Sequence, residues 1–179
     1  SGRLENEVSD SGYSKSQLRQ DLFVLSELGF HKKGFFVEFG ATNGIDLSNT
    51  HLLENRFEWN GILAEPARMW HKDLLKNRKA NIEANCVWKN SGETLMFNET
   101  KDGELSTIGS FSNSDGRNRK NSNIYAVKTI SLMDLLDKFE APDLIDYLSI
   151  DTEGSEYEIL KDFDFNRYKF KIITCEHNY

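Results

Sequence analysis

Acidic side chains and glycines follow several short apolar runs of this 179-residue chain. One run leads into residues 38–44 (EFGATNG), and a second one leads into Glu65. Glycines after a strand allow a tight turn and let the backbone approach a ligand closely. An acid after the next strand can accept hydrogen bonds from both hydroxyls of a ribose. The two features together predict a ligand that contains adenosine.

Two cofactors contain such an adenosine. A dinucleotide requires Gly-x-Gly-x-x-Gly, because its diphosphate lies against the N-terminus of a helix. Here Thr42 occupies the place of the middle glycine, and the spacing is Gly40-x-x-x-Gly44. S-adenosylmethionine has no diphosphate, and the acid Glu38 suits its cationic sulfonium. The residues therefore favour S-adenosylmethionine over a nicotinamide dinucleotide.

Two further apolar runs end in residues that could do chemistry, 151–154 (DTEG) and 176–177 (EH). An imidazole with an ordinary pKa of about 6.5 suits a general base at neutral pH, so His177 is the first candidate and Asp151 the second. Asp151, Glu153, Glu176 and His177 could instead gather a divalent metal. Hydrogen bonding to the methionine amine and to the acceptor is the simpler use of these acids.

A purely structural interpretation also exists for these residues. Glu65 before Pro66 could stabilise the N-terminus of a helix against its dipole, and Asp151 could cap the helix that follows it. A tight turn alone would explain Gly40 and Gly44. We favour the functional interpretation because the polar groups follow four separate predicted strands, and carboxylates gathered at one edge repel each other.

Alternating strands and helices must position these residues. Apolar runs predict strands over 35–39, 61–64, 82–88, 94–97, 125–130, 146–151 and 171–176. Apolar residues three and four apart predict helices over 14–28, 48–56, 66–77, 132–139 and 155–163. The first helix is expected to bury Leu18, the third is expected to bury Leu75 with Trp70 and Leu74, and Ser131 is expected to cap the fourth.

This alternation predicts a doubly wound, Rossmann-like α/β domain, with a five-stranded parallel core and helices on both faces of the sheet. Ligands of such sheets bind outside the carboxyl ends of the strands. We expect a flexible tail over 1–13 and one domain over 14–179. Residues 98–123 are expected to form a long polar loop, either solvated or acting as a substrate lid. The basic residues of such a lid, Arg117, Arg119 and Lys120, would meet a phosphate of the acceptor.

Composition excludes several classes of function. The chain has 22 basic and 29 acidic residues, a net charge of −7, so its overall field does not attract nucleic acid. No apolar run approaches the 20 or so residues of a membrane helix, and no signal peptide opens the chain, so we expect a cytoplasmic protein. The 2 cysteines show no zinc spacing and are expected to be reduced thiols.

An ordered set of motifs resembles the FkbM-type methyltransferase family. The motifs are 35–53 (FFVEFGATNGIDLSNTHLL), 61–66 (GILAEP), 127–136 (VKTISLMDLL), 146–156 (DYLSIDTEGSE) and 172–179 (IITCEHNY), preceded by 16–21 (SQLRQD). The resemblance implies a class I, S-adenosylmethionine-dependent methyltransferase. Its implied acceptor is a hydroxyl of a sugar, a glycan or a small natural product.

The residues and the resemblance together give two sets of predicted site residues. The cofactor-binding set is Glu38, Gly40, Ala41, Asn43, Gly44, Asn49, Glu65, Asn85, Cys86, Val87 and Asp151. The catalytic set is His177, Asp151 and Glu153. A metal, if one binds, would be held by Asp151, Glu176 and His177.

One departure from the family concerns the end of the chain. Family members continue into an antiparallel strand pair, whereas this chain stops at Tyr179. We therefore expect a sheet that lacks the closing pair, and a C-terminal segment or a fused domain missing from this chain. Two alternatives stay open: a non-catalytic binding module on a methyltransferase scaffold, and an NAD(P)-dependent oxidoreductase.

Overall fold

A computed structural model describes residues 12–100, 107–108, 123–152 and 154–176 of the protein. In chain order the elements are α1 Gln20–Glu27, β1 Phe35–Phe39, α2 His51–Phe57, β2 Asn60–Ala64, α3 His71–Asn77, β3 Asn81–Glu83, β4 Cys86–Trp88, β5 Thr94–Glu99, β6 Thr107–Ile108, β7 Asn123–Ser131, α4 Leu132–Lys138, β8 Leu144–Ile150, α5 Glu156–Leu160 and β9 Lys169–Cys175. Glu153, His177 and the predicted lid residues Arg117, Arg119 and Lys120 lie outside the described residues.

Five strands form a parallel sheet in the order β3-β2-β1-β8-β9. Side chains alternate between its two faces, so that Phe36 and Val37 belong to different hydrophobic clusters. The cluster of Phe36 includes buried residues of α1, α2 and α3, and the cluster of Val37 includes those of α4 and α5. The predicted α/β fold, with a five-stranded parallel core and helices on both faces, is confirmed.

The prediction of one strand over 82–88 is wrong. The chain leaves the main sheet after Glu83, whose Oε1 accepts a hydrogen bond from the backbone N–H of Asn85 at 2.8 Å. Cys86–Trp88 then pairs with β7 in a second sheet, of order β4-β7-β5-β6. This sheet buries its own cluster, which contains Cys86, Phe97 and Val127. Within the predicted polar loop 98–123, Thr107–Ile108 is a strand of this sheet.

Helices α1, α2 and α3 begin later than predicted. Helix α1 begins at Gln20, because Arg19 adopts a left-handed conformation with φ of 60°. Leu18 is therefore not on a buried helix face, and it is 79% exposed. Before α3 the chain is extended at Ala67 and then forms a 3₁₀ turn, Arg68–Trp70. Leu75, predicted to be buried, is 66% exposed.

The predicted cap of α4 is confirmed. The Ser131 side chain accepts a hydrogen bond from the backbone N–H of Asp134 at 3.1 Å. Among the helices of the described ranges, none has the length and apolar character that a membrane span requires.

Candidate active site

The carboxyl ends of the five parallel strands lie in one row across the sheet. The pairing register aligns Glu83, Ala64, Phe39, Ile150 and Cys175. The residues that follow them in the chain are Ala84, Glu65, Gly40, Asp151 and Glu176. The acids and the glycine turn, which are far apart in sequence, are thus brought to one edge of the sheet. This is the edge at which α/β proteins bind their ligands.

The turn after β1 is tied to both neighbouring strands. Gly40 has a φ of 75°, and its backbone N–H donates to the carbonyl oxygen of Ala64 at 3.0 Å. A Cβ atom on Gly40 would stand 2.2 Å from the carbonyl oxygen of Asp151. The glycine is therefore needed for a close approach within the protein itself, in addition to any approach to a ligand.

Glu65 joins the end of β2 to the glycine turn. Its Oε2 accepts a hydrogen bond from the backbone N–H of Thr42 at 2.8 Å, and its Oε1 accepts one from Ala67 at 2.8 Å. The side chain is buried, and this burial raises the pKa of Glu65 to about 7, helped by the nearby Glu99 and opposed by the two amide hydrogen bonds. Each carboxylate oxygen has a second lone pair that can accept a hydroxyl of a ligand.

Glu38 is buried beneath the same turn. Its carboxylate accepts hydrogen bonds from the Ser48 hydroxyl at 3.0 Å, from the backbone N–H of Asn49 at 2.7 Å, and from the Thr50 hydroxyl. All three donors lie between the turn and α2. In this arrangement Glu38 holds the segment that leads from the glycine turn into α2.

Asn43 and Asn49 shape the same segment. The Asn43 side chain accepts from the backbone N–H groups of Ile45 and Asp46, both at 2.9 Å, which is the pattern of an Asx turn. The Asn49 side chain donates to the Ser149 hydroxyl at 2.9 Å and accepts from Ser16. Ala41, the remaining turn residue predicted to bind the cofactor, is buried in the cluster beneath α1 to α3.

Asn85, Cys86 and Val87, predicted to lie within the third strand, instead follow it after Glu83. Burial raises the pKa of the Cys86 thiol to about 12, and the charge of Glu65 adds to this effect. Val87 packs in the cluster beneath α4 and α5, so the two neighbouring side chains enter different cores.

Asp151, the residue after β8, is partly buried. The turn that follows it is capped by Glu156, whose Oε1 accepts from the backbone N–H groups of Thr152 at 3.2 Å and Gly154 at 3.0 Å. The backbone N–H of Glu176 donates to the carbonyl oxygen of Ile150 at 2.9 Å, so β9 ends beside the residue before Asp151.

Among the described residues, no group of three or more His, Cys, Asp or Glu side chains could hold a metal ion. Two of the residues proposed for a metal, Asp151 and Glu176, are described, and His177 lies outside those ranges.

Two residues near the site, Glu99 and Arg78, were not predicted. Glu99, at the end of β5, accepts from the Tyr125 hydroxyl at 2.6 Å and from the backbone N–H of Met69 at 3.2 Å. The first contact lies within the second sheet, between β5 and β7, and the second fixes that sheet to the segment that follows Glu65. Arg78, at the end of α3, is buried behind the glycine turn. The sequence gives no signal for these contacts, because each joins residues 26 or more positions apart.

Comparison with known proteins gives a family match. The family model of the methyltransferase FkbM domain matches residues 38–179, a range that begins at Glu38 and contains Glu65, Asp151 and Glu176. No curated protein and no solved structure matches the chain.

Proposed function

The chain belongs to the FkbM methyltransferase family, and from this premise we propose that it transfers the methyl group of S-adenosylmethionine to a hydroxyl oxygen. The proposed acceptor is a sugar, a glycan or a small natural product. The acceptor class rests on the resemblance described above, whereas the cofactor rests on the site itself.

The hydrogen bond between Thr42 and Glu65 is the observation that carries the proposal. It holds a buried carboxylate at the end of β2 against the glycine turn at the end of β1. A carboxylate in this place can accept both ribose hydroxyls, and the turn beside it is free of a diphosphate motif. In the proposed complex Glu65 binds the ribose, the turn 40–44 receives the methionine arm, and Asn85, Cys86 and Val87 lie along the adenine.

The residues present suit a cationic ligand. Glu65, Asp151 and Glu176 supply three carboxyl groups along the row of strand ends. Opposite charges attract more strongly in a partly buried site than in water. When bound, S-adenosylmethionine supplies a methyl group on a positively charged sulfur, which a correctly aligned oxygen nucleophile can take.

An acceptor hydroxyl is a weak nucleophile until its proton is removed. In the proposed mechanism the imidazole of His177 accepts this proton, and Asp151 is the alternative base. Glu153 completes the proposed catalytic group. Glu176, the residue before His177, is anchored to the end of β8 by its backbone hydrogen bond to Ile150. A carboxylate beside the imidazole would fix its tautomer and raise its pKa.

Calorimetry with S-adenosylmethionine, S-adenosylhomocysteine and NAD tests the cofactor. We expect binding of the first two and not of NAD. Glu65→Ala removes two charge-assisted hydrogen bonds to the ribose, each worth about 1.5–3 kcal/mol, and should weaken both ligands strongly. Glu27→Ala removes an exposed carboxylate in α1 and is the matched control. Unchanged affinity in Glu65→Ala would refute the assignment.

Turnover is tested with the same protein and a panel of hydroxyl acceptors. A product heavier by one methyl group identifies the acceptor, and loss of turnover in Glu65→Ala links it to this site. Glycan binding without any methylated product would favour the non-catalytic alternative.

A further inference from the structure

A buried arginine lies behind the glycine turn and outside the set of residues expected to touch the cofactor. Arg78 follows the last residue of α3, and its side chain is fully buried. A buried guanidinium is costly unless its hydrogen bonds and charge are satisfied. Its partners therefore show what the arginine is there to hold.

The two terminal nitrogens of the Arg78 guanidinium donate to the glycine turn and to the segment that leads from it into α2. Nη1 donates to the carbonyl oxygen of Gly44 at 3.0 Å and to the Ser48 hydroxyl at 3.1 Å, and Nη2 donates to the Thr50 hydroxyl at 2.8 Å. The carboxylate of Glu54 accepts a hydrogen bond from Nε at 2.8 Å and so orients the guanidinium group of Arg78. The carboxylate of Glu38, which binds the same segment, lies 3.8 Å from Nη1.

The residue before Arg78 forms a hydrogen bond with the turn at a second point. The side-chain amide of Asn77 donates to the carbonyl oxygen of Asn43 at 2.9 Å. Two successive residues at the end of α3 thus hold two successive carbonyl groups of the turn. Gly44 is part of this fit, because a Cβ atom there would lie 2.6 Å from Cγ of Arg78.

The turn needs such support because its backbone is strained. Thr42 in the turn and Leu47 in the segment that follows it adopt left-handed conformations, with φ of 46° and 59°. Side chains with a Cβ atom rarely take this conformation, and it persists where surrounding contacts enforce it. A flat fork of five N–H donors can hold several oxygens at once, and a lysine ammonium cannot reproduce that geometry.

We propose that Arg78, with Asn77, is a positioning residue that holds the glycine turn in the shape required by the methionine arm of the cofactor. The inference rests on the proposed function and adds residues that act on the cofactor without touching it. Binding to a turn that already has the required shape avoids the entropic cost of ordering it. Loss of the hydrogen bonds from Arg78 or Asn77 should therefore weaken the binding of the methionine arm selectively.

The test compares two ligands that differ in the arm alone. S-adenosylhomocysteine carries the amino-acid arm, and 5′-methylthioadenosine lacks it. For Arg78→Lys, calorimetry should show S-adenosylhomocysteine weakened about tenfold or more, with 5′-methylthioadenosine within about twofold of the unaltered chain. Asn77→Ala keeps the buried charge of Arg78 in place and should also weaken the affinity for S-adenosylhomocysteine. It decides the question if Arg78→Lys does not fold.

The control is Ile145→Val, a mild change in the core on the opposite face of the sheet. It lowers Tm but should leave the ratio of the two affinities unchanged. Equal affinity for S-adenosylhomocysteine in the variants and the unaltered chain would overturn the inference alone, as would a parallel loss of both ligands. Failure of the unaltered chain to bind S-adenosylhomocysteine would overturn the proposed function and this inference with it.

Discussion

The carbonyl oxygen of Asp151 occupies the space that a Cβ atom on Gly40 would need, 2.2 Å from its ideal position. Gly40 directly follows β1 and Asp151 directly follows β8, so this contact joins the carboxyl ends of two neighbouring parallel strands. The first glycine of the turn therefore has a structural role within the protein, independent of any ligand.

Gly40→Ala should destabilise the fold by about 3 kcal/mol or more, since the substitution adds both a backbone strain and a steric overlap. The free energy of unfolding in denaturant measures the loss. Gly92→Ala is the matched control, because Gly92 has a φ of 80° with no atom within 4 Å of its Cβ position. It tests the strain without the overlap, and equal losses in the two variants would contradict the steric account.

Ionisation of Glu65 should cost folding stability between about pH 4.5 and 7. The pKa of this acid is raised by burial from 4.5 to about 7, so the folded state retains a proton that the unfolded chain releases. The stabilisation is complete below the unfolded pKa and is lost as the pH rises through the folded pKa, by about 3 kcal/mol in total. In Glu65→Gln this component is absent. Parallel stability curves for the two proteins over this range would refute the prediction.

Cofactor affinity should change with pH in the opposite direction. The ionised form of Glu65 accepts both ribose hydroxyls, so affinity for S-adenosylhomocysteine should rise as the pH passes through about 7. The nearby Glu99 contributes to the raised pKa of Glu65. Glu99→Gln should therefore move the midpoint of the affinity curve to lower pH, whereas Tyr125→Phe keeps the Glu99 charge and should not. Calorimetry over pH 6–8.5 measures both midpoints, and a common midpoint for Glu99→Gln and the unaltered chain would exclude the coupling.

The parallel core and the row of strand ends could be predicted from the sequence, because both follow from local patterns. The run before Gly40 is a short apolar segment bounded by glycine, and Glu65 follows another such segment and precedes a proline. Once strands and helices alternate, the rule for parallel sheets brings their carboxyl ends together.

The remaining features depend on contacts between distant residues. No glycine or proline marks the break at Ala84 and Asn85, and the lone Asn85 is a weak turn signal inside an apolar run. The turn is held by a contact that the sequence does not reveal, from the backbone N–H of Asn85 to the Glu83 side chain. Arg78 ends an ordinary amphipathic helix, and its partners Gly44 and Thr50 lie 34 and 28 positions earlier. The cluster of Arg78 with these partners forms only in the folded structure, and the spacing of the residues in the sequence does not predict it.

The last prediction separates the base from the ribose acid. His177→Ala should lower kcat at saturating cofactor by about 10²–10⁴-fold, the usual contribution of a general base, while affinity for S-adenosylmethionine barely changes. In the unaltered chain kcat should rise with pH through a pKa at or above about 6.5, since the free imidazole accepts the proton. His177→Ala should abolish that rise and keep the pH dependence of affinity, which belongs to Glu65. Near-full turnover in His177→Ala would transfer the role to Asp151 or to a metal, and loss of activity in chelator with recovery in magnesium would select the metal.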